Sequence, residues 1–138
     1  MPLPQGPEAR TYYQAAWQRL DDAEFLLGVN RTTGVMYLAG YCVECMLKAL
    51  VLSSTPLKQR VRIAATFRGA KAHDFDWLKG VYLKRGGPPF PSLVSKAFVL
   101  VNTWATELRY KAGTYKYRDA VAFLKSVDEI VRWADGRM

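Results

Sequence analysis

The longest apolar segment of the chain is Val35-Met-Tyr-Leu-Ala-Gly-Tyr-Cys-Val-Glu-Cys-Met-Leu-Lys-Ala-Leu-Val-Leu52. As a helix it places one apolar face on Leu38, Tyr41, Cys42, Cys45, Met46, Ala49 and Leu52, and further apolar residues extend nearly all the way round. A helix of this kind is typically surrounded by other helices or buried in a dimer interface. Because Glu44 and Lys48 interrupt it, and because it falls short of the roughly 20 residues of a bilayer span, we predict a core helix.

Apolar residues recur at spacings of three and four on both sides of this helix, which is typical of amphipathic helices. The further helical segments predicted are 7–29, 58–67 (weak and basic), 75–83, 92–108 and 120–134. Asp74 and Ser92 are the expected N-caps of two of them, and Thr32 or Thr33 of the core helix. No strand is predicted. Short loops favour antiparallel neighbours, so we expect an all-α, up-and-down antiparallel bundle of four long helices plus one or two short ones.

The composition indicates one domain over residues 1–138, with residues 1–7 as an extended N-terminal arm. Half of the residues are hydrophobic and 13% are aromatic, which argues against disorder. The first residues have neither the basic nor the apolar region of a signal peptide. We therefore expect a cytoplasmic protein.

The positive charge is concentrated in the middle of the chain. The net charge is +8, but residues 56–118 hold thirteen basic and three acidic residues, a balance of +10. The segments on either side, 1–55 and 119–138, each have a balance of −1. Such an uneven field suits a phosphate-bearing or otherwise acidic partner, and the alternative is a solvated surface that keeps the protein soluble.

Three segments carry a resemblance to a known family. Tyr37-Leu-Ala-Gly-Tyr-Cys-Val-Glu-Cys-Met-Leu-Lys-Ala-Leu resembles the second-helix signature of the HEPN (higher eukaryotes and prokaryotes nucleotide-binding) family. His73-Asp-Phe resembles that family's His-Asp-Leu at the start of a later helix, and Trp104-Ala-Thr-Glu-Leu-Arg-Tyr resembles its Trp/Arg-Tyr segment. With their connecting helices, these segments cover most of the chain.

The resemblance implies a small helical bundle that dimerises and often acts beside a nucleotidyltransferase protein or domain. Some members are metal-independent ribonucleases in toxin–antitoxin or defence systems, and others bind nucleotides or partners without known catalysis. Family membership therefore restricts the fold more than the function.

The ribonuclease members use an Arg, four to six intervening residues and a His late in the domain. Arg68 and His73 have this spacing but lie ahead of the predicted short helix, whereas in the late position Arg109 is followed by Tyr115. His73 could act as acid or base and Arg68 could stabilise a phosphate, without any metal or cofactor. The alternative role for His73 is a helix-entry residue that hydrogen-bonds backbone.

Two features of the core helix have structural interpretations. Cys42 and Cys45 match a Cys-x-x-Cys pattern, but they lie in mid-helix without further metal ligands and are expected to be core thiols. Glu44 stands four residues before Lys48 in the order of an intrahelical pair. A buried carboxylate must be compensated, so Glu44 is predicted to form a structural charge tie, with Lys48, with Arg109 or with another basic group.

Residues 109–118 alternate basic residues and tyrosines around a glycine. Such a segment can hold phosphates and stack bases, although it could equally be a helix–helix turn whose tyrosines cover the end of the bundle. The contact candidates are Arg109, Lys111, Tyr115, Lys116 and Arg118, with Arg68 and Lys71 behind them.

The leading hypothesis is a HEPN-like homodimer that binds nucleotide, RNA or a nucleotidyltransferase partner through a basic surface. One alternative is a metal-independent endoribonuclease that uses Arg68 and His73. The other is a non-catalytic interaction subunit that uses exposed apolar surface of the second helix. The sequence leaves open whether the protein is an enzyme.

Overall fold

In the computed structural model, which describes residues 3–105 and 114–138, the regular elements are helices. They comprise α1 (Pro7–Gly28), α2 (Thr32–Ser53), α3 (Arg60–Ala64), α4 (Phe75–Lys84), α5 (Ser92–Thr103) and α6 (Tyr117–Asp135), with 3-10 helices at Leu57–Gln59 and Gly69–His73. No strand occurs within the described ranges. The predicted all-α class, with four long helices and short ones between them, is therefore confirmed.

Helix α2 forms the centre of the fold. Fifteen of its 22 residues are buried, and it packs against α1, α4 and α6, while α5 packs against α6. The prediction of a core helix is confirmed. Much of this burial occurs within one chain, while Tyr37, Leu38, Tyr41 and Cys45 stay partly exposed. The use of α2 surface by an interaction subunit stays a prediction.

The length of α2 also differs from the expectation. The helix begins at Thr32 rather than Val35, and with 22 residues it is long and apolar enough to cross a membrane by length and composition alone. Of its most apolar stretch, 78% is buried against the rest of the chain. A core helix passes the same test of length and composition.

The N-terminal arm is packed against the bundle. Gly6, the N-cap of α1, has a φ of +87°, which glycine adopts without a steric penalty, and Pro7 and Glu8 then occupy the first turn, as predicted. Arg60 is buried, and its guanidinium donates hydrogen bonds to the carbonyls of Gln5 and Thr55. These bonds hold the arm against the start of α3.

The helix ends test the predicted caps. The side chain of Asp74 accepts a hydrogen bond of 3.0 Å from the Trp77 amide, so this N-cap is confirmed. Ser92 is the first residue of α5 rather than its cap, because the preceding Pro91 occupies the cap position. The N-cap of α2 is Arg31, so the prediction that Thr32 or Thr33 caps this helix was wrong. The segment 58–67 divides into the first 3-10 helix and the short α3.

Trp104 follows α5 and packs against the middle of α2. Its ring lies edge-on to Tyr37, with centroids 5.6 Å apart, and at 5.5 Å from Phe123 of α6. A Cβ atom at Gly40 would come within 2.1 Å of this ring. The absence of a side chain at Gly40 therefore lets the indole lie directly against the α2 backbone, where it joins α2, α5 and α6.

Candidate functional site

The start of α2 and the residues ahead of α6 meet at one end of the bundle. Asn30, with a φ of +58°, makes the turn between α1 and α2, and α2 then begins at Thr32. The Thr32 hydroxyl donates a hydrogen bond of 2.7 Å to the carbonyl of Tyr115. Residues 114–116, part of the predicted binding segment, are thereby held beside the first turn of α2.

A polar cavity of about 360 Å³ lies at this junction, within the range of roughly 300–1,000 Å³ usual for ligand sites. Its lining consists of the turn and first residues of α2, together with the segment before α6: Asn30, Arg31, Thr32, Thr33, Gly34, Thr114 and Tyr115. No side chain caps the amides at the start of α2. An exposed guanidinium, hydroxyls and helix-start amides are all groups that bind anions.

A mainly apolar cavity of about 280 Å³ also borders Tyr115 and lies among α2, α5 and α6. The buried side chains of Met36, Trp104 and Phe123 line it, together with Leu100, Thr103, Ala122, Tyr115 and Asp119. The two cavities share Tyr115 as a wall. This end of the bundle thus places a mainly apolar cavity next to a polar one.

Three exposed basic residues lie at this junction or follow it closely in the chain. Arg31 lines the polar cavity, Lys116 follows Tyr115 directly, and Arg118 is the second residue of α6. Arg109 and Lys111, which were also predicted to bind nucleotide or RNA, lie outside the described residues. Of the predicted contact segment, the described part therefore consists of Tyr115, Lys116 and Arg118.

A second polar cluster lies around Glu44, in the middle of α2. One oxygen of the buried Glu44 carboxylate is 2.9 Å from Lys48 Nζ, and the other is 2.8 Å from His73 Nδ1. Lys48 is buried as well, with its ammonium 5.5 Å and 5.8 Å from the ring centroids of Tyr12 and Phe67. The carboxylate thus has a cation on one oxygen and an imidazole on the other.

His73 is the exposed member of this cluster. Its side chain is half exposed, at 50%, whereas that of Glu44 is 8% exposed. When the proton lies on Nδ1, the ring donates it to Glu44, and Nε2 keeps a lone pair. The side chain of His73 is therefore hydrogen-bonded to a carboxylate. The structural role considered for it in the sequence was a hydrogen bond to the backbone instead.

The other predicted residues of this region lie on the same connection. Arg68 is exposed and immediately precedes the 3-10 helix Gly69–His73. No hydrogen bond or ion pair joins Arg68 to His73 among the residues that the structure describes. Lys71 lies on the 3-10 helix itself, with its ammonium 5.9 Å from the ring centroid of Trp77.

The cysteines belong to the interior. Cys42 is fully buried and Cys45 partly so, and neither forms a disulfide. Burial is the largest cause that raises the pKa of both thiols, which opposes formation of the reactive thiolate. Within the described ranges, no group of three or more His, Cys, Asp or Glu side chains could hold a metal ion.

Comparison with known proteins gives one result. The HEPN domain family model matches residues 9–137, nearly the whole chain. The chain belongs to the HEPN domain family. Comparisons with curated proteins and with solved structures gave no match. Membership supports a nucleotide-binding or ribonuclease-like helical domain in general terms.

Sequence reasoning missed two residues at the junction of this HEPN domain. Arg31 was placed in a turn and Asp119 outside the basic segment, so neither was considered a contact residue. Local sequence carries little signal for Arg31, because its proximity to Tyr115 depends on the packing of the start of α2 beside the segment before α6. Asp119 lies four residues after Tyr115, but its negative charge separates it from the basic segment. The basic residues and Tyr115 were the local indications of this end of the bundle.

Proposed function

We propose that this HEPN domain binds nucleotides or single-stranded RNA at the end of the bundle around Tyr115. The observation that carries the proposal is the pair of cavities, one polar and one apolar, that share Tyr115 as a wall. A nucleotide has the same division, with a charged phosphate at one end and a flat, largely apolar base at the other. The phosphate occupies the polar cavity.

The charges around the polar cavity support this assignment. Arg31 lines the cavity, and the exposed Lys116 and Arg118 follow its wall, Tyr115, by one and three residues. Guanidinium groups bind phosphate through paired hydrogen bonds, while a lysine contributes a point charge. Phosphate contacts supply most of the affinity of such proteins for nucleic acid and make that affinity depend on salt.

Reversing two of these charges is expected to weaken binding strongly. In the double variant Lys116→Glu/Arg118→Glu, affinity for a fluorescent single-stranded oligoribonucleotide should fall at least about tenfold, because attraction is replaced by repulsion. Fluorescence anisotropy at several salt concentrations measures both the affinity and its salt dependence. The slope against salt should be shallower for this variant than for the wild type.

The control is Lys58→Glu/Arg62→Glu, which makes the same change in net charge at exposed positions on and next to α3. This variant should retain affinity within about threefold of the wild type, the residual loss reflecting long-range electrostatics. Equal losses in the two double variants would mean that binding depends on net charge alone. No RNA or nucleotide binding by the wild type would reject the proposal.

The His73 cluster supports a second candidate function, metal-independent cleavage of RNA. The buried Glu44 carboxylate orients the imidazole through Nδ1 and favours the tautomer whose Nε2 can accept a proton. Nε2 could then take the proton of a ribose 2′-hydroxyl, whose oxygen attacks the adjacent phosphorus. The bond from phosphorus to the 5′-oxygen of the next nucleotide breaks, which leaves a 2′,3′-cyclic phosphate and a 5′-oxygen that takes a proton from solvent. Arg68 or Lys71 would stabilise the charge that develops on the phosphate.

This second candidate predicts RNA cleavage in the presence of a metal chelator. His73→Ala should lower the cleavage rate at least about a hundredfold, the usual contribution of a general acid or base. Denaturing gel electrophoresis of a labelled RNA measures the rate. An inactive wild type, or a His73→Ala variant as active as the wild type, would remove this candidate and leave the binding proposal intact.

Family membership supports the wider setting of the proposal. The domain acts as a cytoplasmic homodimer beside a nucleotidyltransferase partner, in a toxin–antitoxin or defence system. Apolar side chains of two helices could supply dimer contacts: Tyr37, Leu38 and Tyr41 of α2 are partly exposed. The exposed apolar side chains Leu93, Val99 and Leu100 lie on α5.

A further inference from the structure

The apolar cavity suits the base of a nucleotide in its size and its mainly apolar lining. Trp104, Phe123 and Met36 belong to the lining, but at 3%, 2% and 4% exposure they present little surface to a ligand. Leu100 and Ala122, which are exposed, add open apolar surface. An apolar cavity with few polar groups is typical of small-ligand sites, in which those polar groups select the ligand.

Among the described residues that line this cavity, Asp119 is the charged one. It lies in the first turn of α6 and is exposed, so its carboxylate is open to a ligand. An ionised carboxylate only accepts hydrogen bonds, through two oxygens that can be used together. Thr103 also lines the cavity, but its hydroxyl already donates to the carbonyl of Val99 at 2.9 Å.

We propose that the apolar cavity holds a guanine base and that Asp119 accepts the hydrogen bonds of its N1–H and N2–H groups. This inference rests on the proposed nucleotide binding and names the ligand of that same site. Guanine presents two adjacent donors on one edge, which match the two carboxylate oxygens. Adenine presents an acceptor beside its single amino donor on that edge, so one carboxylate oxygen would face a lone pair.

The position of Tyr115 determines which end of the bound nucleotide lies in each cavity. Tyr115 is a wall of both cavities, and Asp119 follows it by four residues at the start of α6. A nucleotide that spans Tyr115 therefore places its base towards Asp119 and its phosphate towards Arg31. The carboxylate and the guanidinium act on opposite ends of the ligand, so Asp119 does not lie against the phosphate.

Isothermal titration calorimetry with GMP, IMP and AMP tests the assignment. Wild-type protein should bind GMP at least about tenfold more tightly than AMP, since hydrogen bonds to a charged group are strong and an unmatched carboxylate is costly. IMP, which has the N1–H but lacks the N2 amino group, should fall between them. In Asp119→Asn the preference for GMP over AMP should shrink to about twofold, because the amide offers only one acceptor oxygen.

Two further variants separate the possible outcomes. Glu129→Gln removes the same charge from an exposed position of α6 and should keep the GMP preference. Ala122→Leu adds bulk to the cavity lining and should weaken all three nucleotides about tenfold or more, because the base loses its space. Binding of inorganic pyrophosphate, which needs only the polar cavity, should be unchanged in that variant.

The results distinguish this inference from the proposed function. If GMP and AMP bind with equal affinity, or if Asp119→Asn keeps the full preference, the guanine assignment is wrong and nucleotide binding stands. If neither the nucleotides nor the oligoribonucleotide binds while the protein is folded by circular dichroism, both are wrong. A GMP preference that disappears in Asp119→Asn and persists in Glu129→Gln supports both.

Discussion

Replacing Glu44 with alanine is expected to lower the free energy of unfolding by about 3–5 kcal/mol, the usual cost of breaking a buried ion pair. The change leaves Lys48 as a buried ammonium without its carboxylate, and it removes the hydrogen-bond partner of His73 Nδ1. The π faces of Tyr12 and Phe67 offset only part of this cost. Urea denaturation followed by circular dichroism measures the change.

The chain contains a matched control for this prediction. Asp128 and Arg132 form an ion pair of the same i,i+4 spacing on α6, but their side chains are 38% and 70% exposed. Asp128→Ala should therefore change stability little, because exposed pairs contribute little net free energy. The apolar double variant Glu44→Leu/Lys48→Met should be far more stable than Glu44→Ala, since no charge is left buried. Equal stability of Glu44→Ala and the wild type would show that the buried pair has no role in stability.

Gly40→Ala is expected to be the other strongly destabilising change, at about 3 kcal/mol, the upper end of the usual cost of overpacking. The new Cβ atom would overlap the Trp104 ring, which has rigid neighbours in Tyr37 and Phe123. Either the indole or the α2 backbone must move. Thermal unfolding measures the loss, and the indole signal of Trp104 in an NMR spectrum reports any displacement.

Gly80→Ala is the control, because its expected change in stability has the opposite sign. Gly80 lies inside α4, and a Cβ atom there would meet no other atom within 4 Å. Alanine is favoured over glycine in a helix, so this variant should be more stable by about 0.5–1 kcal/mol. A Gly40→Ala variant that is as stable as the wild type, or more stable, would contradict the close contact between the Trp104 ring and the α2 backbone.

The core and most helix positions could be predicted because they depend on local pattern. The apolar run of α2 predicts its burial, and the Asp74 cap follows from a short side chain ahead of a helix. The expectation for Ser92 was wrong by one residue, because Pro91 already occupies the cap position. Thr32 was expected as the N-cap of α2, but its hydroxyl donates a hydrogen bond to the carbonyl of Tyr115 instead. Tyr115 is 83 residues away in the sequence, so no local pattern encodes this contact.

The candidate sites could be predicted only in part. The basic character of residues 116–118 and the singular His73 are visible in the sequence, and the Glu44–Lys48 spacing is as well. The contact between Glu44 and His73 joins residues 29 positions apart, and the two cavities form from three helices and a turn. Tertiary packing decides such features, so Arg31 and Asp119 could not be recognised in the sequence.

An NMR titration with GMP is the sharpest test of nucleotide binding at the end of the bundle around Tyr115. We predict that the amide signals of Thr33 and Gly34, which line the polar cavity, shift in proportion to occupancy. The indole signal of Trp104 should shift with them, while those of Trp17 and Trp133 should not. Saturating GMP that leaves all of these signals unchanged, or that moves only signals around His73, would show that nucleotide does not bind at this end of the bundle.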